Sequence, residues 1–125
     1  MKIINAEGAP KAIGPYSHAV AVDGIIFCSG QIPLNPATME IVAGGIEAQT
    51  RQVLSNVSTV LAEAGARPTD VAKTTIFLTD MKDFPAVNQL YGDFFGDHKP
   101  ARSTVAVAGL PMGALVEIEC LVVTK

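Results

Sequence analysis

The spacing of apolar residues changes period four times along this chain, and that alternation limits the fold more than any single motif. Ala19-Val20-Ala21-Val22 and Ile25-Ile26-Phe27-Cys28-Ser29 are strand-like runs separated by Asp23-Gly24. Asp-Gly supplies the positive φ angles of a two-residue turn, so this stretch is predicted as a β-hairpin. Pro33, Asn35 and Pro36 mark a loop. From Ile46 the spacing turns helical. Ile46, Val53, Leu54, Val57, Val60, Leu61 and Ala64 share one stripe, Gly65 stands where a C′ glycine ends a helix, and Gln49, Arg51, Gln52, Ser55 and Glu63 fall off the stripe. Residues 71–79 read as a strand rich in Thr, Ile, Phe and Val. Asp80 is a cap for the next element, a second amphipathic helix through Phe84, Val87, Leu90, Tyr91, Phe94 and Phe95 that ends at Gly96. Residues 103–108 and 115–124 are two more strands around a turn at 109–113. The order is strand, strand, helix, strand, helix, strand, strand. It predicts an α+β fold with a mixed, mostly hairpin-built sheet, a βαβ crossover at each helix, and both helices on one face.

The 125 residues fit one domain, expected to span 1–125. Only 17% are charged, thin cover for a domain this small, which points to apolar surface covered by other subunits. No apolar run approaches the length of a membrane span, and no basic stretch followed by an apolar segment opens the chain as a signal peptide would. Acids outnumber bases by 12 to 9 and no Lys/Arg cluster exceeds two residues, which argues against nucleic acid as a partner. Cys28 and Cys120 lie inside strand-like runs and read as buried thiols of a reducing, cytoplasmic setting.

The last strand carries the first chemical signal. Leu115, Glu117, Glu119, Leu121 and Val123 point one way; Val116, Ile118, Cys120 and Val122 point the other and meet the helices. A solvated face does not usually combine Leu115, Leu121 and Val123, so Glu117 and Glu119 are expected on a face that is partly covered. Desolvation there suits a general acid/base; edge protection or an intersubunit salt bridge explains the carboxylates equally. Arg102 opens the preceding strand, 103–108, where its planar fork fits a carboxylate or it is simply a surface arginine. Gly14-Pro15-Tyr16-Ser17 is a rigid turn presenting a phenol, and Ser29-Gly30-Gln31 ends a strand with a glycine that either admits a ligand or makes a bulge. His18 and His98 lack a ligand pattern for a metal, and no glycine-rich phosphate loop, serine triad or Cys-x-x-Cys pair is present. Any catalysis is therefore expected to be cofactor-free acid/base work on a small anion.

Residues 12–17 (Ala-Ile-Gly-Pro-Tyr-Ser), 29–33 (Ser-Gly-Gln-Ile-Pro) and the block from Pro100-Ala101-Arg102-Ser103 to Val116-Glu117-Ile118 resemble the Rid/YjgF family nearly from end to end. The resemblance implies a homotrimer of chorismate-mutase-like α+β subunits, sheets facing inward, with active sites in the clefts between subunits. It implies hydrolysis of 2-imino acids, such as 2-iminopropanoate and 2-iminobutanoate, or their enamine tautomers, to 2-keto acids and ammonia, without metal or cofactor. Carried over by position, Arg102 binds the substrate carboxylate, Glu117 activates water, and Tyr16 lines the pocket. Ser29, Gly30 and Asn88 also line the cleft or hold its water, and Glu119 receives no catalytic role. Thr104 stands where many members have cysteine, and 96–100 is a shorter loop than in many. The alternative is a non-catalytic trimer that binds a small carboxylate or acts as a chaperone-like or regulatory protein.

Overall fold

The computed structural model describes residues 1–124. Six strands form one sheet: β1 (Lys2–Ile4), β2 (Ala19–Val22), β3 (Ile25–Gln31), β4 (Val71–Leu78), β5 (Ala101–Ala106) and β6 (Val116–Val123), in the order β1-β2-β3-β6-β4-β5. The helices are α1 (Gly45–Glu63) and α2 (Phe84–Phe95). The architecture is the mixed α+β sheet expected. β4 and β5 run parallel across α2, while β6 lies antiparallel to both β3 and β4. β3 and β4 are thus also parallel, joined by α1 over the inserted β6.

The β2–β3 turn has Asp23 at φ 49° and Gly24 at φ 80°, the two positive angles that Asp-Gly accommodates. Asp80 accepts a hydrogen bond from the Lys82 N–H and caps a short 3-10 turn that feeds α2. Several boundaries differ from expectation, those of β1 and β5 most. β1 was missed because three residues are too few to display alternation. β5 begins two residues early, since pairing to β4 starts at Ala101, so Arg102 lies inside the strand.

Both helices cover one face of the sheet. Val116, Ile118, Cys120 and Val122 are buried there with Ile76 and Leu78 of β4, Val53, Val57, Val60 and Leu61 of α1, and Val87, Tyr91 and Phe95 of α2. Each such side chain removes apolar area from water at about 25 cal/mol per Å². Gln49, off the apolar stripe, is nevertheless buried, and its Oε1 accepts the Leu115 N–H at 2.8 Å, tying α1 to the start of β6. Asn56 of α1 donates to the carbonyls of Ile32 and Leu34 and fixes the loop after β3. Cys28 and Cys120 are free thiols directly opposite one another on β3 and β6; burial pushes them up to about 11 and about 12. Neither is a thiolate at neutral pH.

The other face of the sheet is open in the single chain and rich in apolar side chains. Phe27 is 49% exposed, Val105 42% and Val123 41%. Among the described residues no helix is long and apolar enough to cross a membrane.

Candidate active site: two half-sites on opposite faces

Glu117 leaves β6 on the open face, as alternation requires, and reaches a bulge in its neighbour. The β3–β6 register shifts between Cys28 and Gln31, leaving Ser29 and Gly30 out of the regular ladder. The bulge reading of Gly30 holds: it sits in the bulge, and the bulge receives the Glu117 side chain. A Cβ on Gly30 would lie 2.8 Å from the Glu117 carboxyl carbon and collide outright with Oε2. Ser29 is held by its N–H to the His18 carbonyl at 2.9 Å and by Oγ donating to the Ser17 carbonyl at 2.6 Å.

His18 explains how the Tyr16 turn is placed. Its buried ring accepts the Ala6 N–H at Nδ1 (2.9 Å) and donates from Nε2 to the Pro10 carbonyl (2.8 Å). Both ring nitrogens are used by backbone, so the histidine staples residues 5–18 against the hairpin. Tyr16 then stands over the bulge, its hydroxyl accepting the Ile13 N–H at 3.4 Å. Tyr16, Ser29, Gly30 and Glu117 share a cavity of about 320 Å³ with apolar walls from Ile13, Ile32 and Pro111. These walls went unnoticed in the sequence because no chemistry singles out a loop proline or isoleucine.

Glu117 is partly buried and its pKa is raised, first by desolvation and then by the Glu119 charge two residues on. The ion pairs among the described residues, Arg67–Asp70 and Lys82–Asp80, lie elsewhere. A carboxylate held short of water and short of cations is suited to accept a proton.

Arg102 is not in this cavity. Pairing of β5 with β4 places it beside Thr74 on the helix face, whereas the register Val105–Phe77–Glu117 defines the opposite face. The guanidinium carbon lies 5.2 Å from the ring centroid of Phe84 and 4.9 Å from that of Tyr91, and Nη1 donates to Asn88 Oδ1 at 2.8 Å. Asn88, Tyr91 and Arg102 line a second cavity of about 440 Å³ together with Lys99 and Pro100. Thr104 shares Arg102's face two residues on, and its buried hydroxyl has no hydrogen-bond partner. Glu119 is exposed on the open face. Within one chain the site residues therefore fall into two groups: Tyr16, Ser29, Gly30 and Glu117 on one side, Asn88, Arg102 and Thr104 on the other. His98 also lines the Arg102 cavity, with its Nε2 bonded to the Val71 carbonyl at 2.7 Å. Among the described residues no cluster of three His, Cys, Asp or Glu side chains could hold a metal.

A family model described as endoribonuclease L-PSP matches residues 6–124. A 2-iminobutanoate/2-iminopropanoate deaminase of Mus musculus is 45% identical over 122 residues, covering 98% of this chain and 90% of that protein. A Thermotoga maritima structure described as a candidate endoribonuclease has a TM-score of 0.97 at 48% identity and covers 100% of this chain and 98% of that one. Escherichia coli TdcF, solved with bound serine, has a TM-score of 0.95 at 42% identity over the whole of both chains.

Proposed function

The chain belongs to the Rid/YjgF family, whose model carries the description endoribonuclease L-PSP, and from that membership and its two half-sites we propose a deaminase of reactive 2-imino acids. The observation that carries the reading is the division itself: a guanidinium with no carboxylate partner on one face and a desolvated, unpaired carboxylate on the other. A homotrimer whose sheets face inward would cover the apolar open face and set Arg102 of one subunit against Glu117 of the next. The relative from Mus musculus bears the name of this activity, and the Escherichia coli neighbour was solved with an amino acid bound.

The chemistry follows from the residue types. Arg102 takes the substrate carboxylate through its remaining N–H donors and so fixes the imine carbon. Glu117 accepts a proton from water as the oxygen bonds to that carbon, and the C=N electron pair moves to nitrogen. Glu117 returns that proton to the carbinolamine nitrogen, the C–N bond breaks, and ammonia leaves and carries off the proton that the hydroxyl gives up as it becomes the keto group. Water enters and ammonia departs, so the balance requires no cofactor. Tyr16 and Gly30 shape the water side; Asn88 and Thr104 border the carboxylate side. RNA cleavage, which the family description names, finds no support in a chain with more acids than bases and no basic cluster.

The test is release of ammonia and pyruvate from 2-aminoacrylate generated in place by a serine dehydratase. The chain is expected to accelerate both. A rate equal to the enzyme-free control, with the two- to four-carbon side-chain analogues as well, would overturn the reading and leave a carboxylate-binding protein.

A further inference from the structure

Phe84, Asn88 and Tyr91 follow one another at i, i+4 and i+7, which places all three on a single stripe of α2. That stripe lies against one side chain, Arg102. An arginine at the end of an edge strand ordinarily samples many rotamers in water. Here its guanidinium carbon lies over two aromatic rings and one N–H is committed to Asn88. The arrangement is referenced to the strand that pairs with Arg102. Tyr91 shares a 2.7 Å hydrogen bond with the hydroxyl of Thr74, and Thr74 is the β4 residue in register with Arg102. Burial raises the Tyr91 phenol above its ordinary range, so it stays protonated and able to keep that bond at neutral pH.

We propose that Phe84, Asn88 and Tyr91 are positioning residues that mount the Arg102 guanidinium on α2 before any ligand arrives. Asn88 takes one of five N–H donors, and four remain for a carboxylate. An amide in this place holds the cation without neutralising it, so the site keeps its charge for the substrate. The mount deepens the deaminase reading and rests on it only for the kinetic half of the test.

Two measurements on the full chain test it. The chain has three arginines, Arg51, Arg67 and Arg102, so its arginine Nε–H spectrum is small, and Arg102→Lys identifies the Arg102 signal by its loss. That proton is expected upfield of the other two through the ring currents, and expected to move toward them in Phe84→Leu but not in Phe84→Tyr. Kinetically, Phe84→Leu and Asn88→Ala should raise KM for the imine about threefold to thirtyfold with kcat nearly kept. Phe84→Tyr should restore the wild-type KM. Asn88→Asp, nearly the same shape, should raise KM further by giving Arg102 an internal carboxylate. An Arg102 signal indistinguishable from those of Arg51 and Arg67 would overturn the proposal even if the imine is turned over. A shifted signal in a chain without deaminase activity would uphold the mount and refute the reading. A KM unmoved by Phe84→Leu and Asn88→Ala in an active enzyme would refute the mount.

Discussion

Exchanging Glu117 for glutamine is expected to lower kcat about a hundredfold or more while leaving the fold in place, the scale on which a positioned general base acts. Glutamine preserves the side chain's length and its seat on the Gly30 bulge, but it cannot accept the proton of attacking water. The stability consequence has a definite sign. Burial and Glu119 raise the Glu117 pKa in the folded chain. A raised pKa means the carboxyl favours the folded state while protonated and opposes it progressively as pH climbs through the folded value. Glu117→Gln should therefore melt at or above the wild-type temperature at neutral pH, with the difference closing as pH falls and the native carboxyl becomes neutral. In the proposed mechanism the same ionisation controls activity, so the acid limb of the wild-type pH profile should lie above the ordinary carboxylate range and vanish with the variant. Melting curves and turnover across pH check both halves; a fully active Glu117→Gln chain would move the proton-accepting role elsewhere.

Gly30→Ala is expected to be nearly as damaging to activity, for a steric reason rather than a chemical one. The added methyl would stand 2.8 Å from Cδ and 3.0 Å from Cγ of Glu117, with Oε2 closer still. Gly30 is not among the glycines with positive φ, so alanine meets no backbone penalty there. The atoms in its way belong to the end of a flexible side chain, which can swing aside at small cost in stability. Swinging aside removes the carboxylate from the bulge and misplaces the water, and a displacement of about 1 Å is enough to cost about a hundredfold. The variant should keep its melting temperature and lose kcat. Combining it with Glu117→Gln should add little beyond either alone, because both remove the same function. An active Gly30→Ala chain would mean that the close approach of Glu117 to Gly30 has no catalytic purpose.

The strands and helices were legible wherever a period repeats often enough to count. The Asp23-Gly24 hairpin, both amphipathic helices and the alternating faces of β6 all follow from spacing, and burial divides β6 as its alternation predicts. β1 escaped because three residues carry no period. The start of β5 escaped because pairing with β4, not local propensity, decides that Ala101 and Arg102 are extended. The site was legible as residue types but not as geometry. Whether Arg102 and Glu117 share a face depends on the order β6-β4-β5 and its register, and a one-residue shift reverses the answer. The buried Gln49 was read as lying off the stripe, since its partner, the Leu115 N–H, is 66 residues away. Phe84 and Tyr91 read as part of the apolar stripe of α2 and Asn88 only as a cleft residue, and nothing local to that helix names the arginine beside them.

In the proposed trimer a complete site takes Arg102 from one subunit and Glu117 from another. Mixing Arg102→Ala and Glu117→Gln chains, unfolding them together and refolding tests it directly. Each parent alone should be inactive. Random reassembly into trimers should restore about a quarter of wild-type activity, since about three in four trimers are then mixed and each holds one site with both residues intact. Refolding the double variant with wild type controls for losses on handling. A refolded, demonstrably mixed population no more active than its parents would rule out a site shared between subunits, because residues acting within one chain cannot complement each other across two.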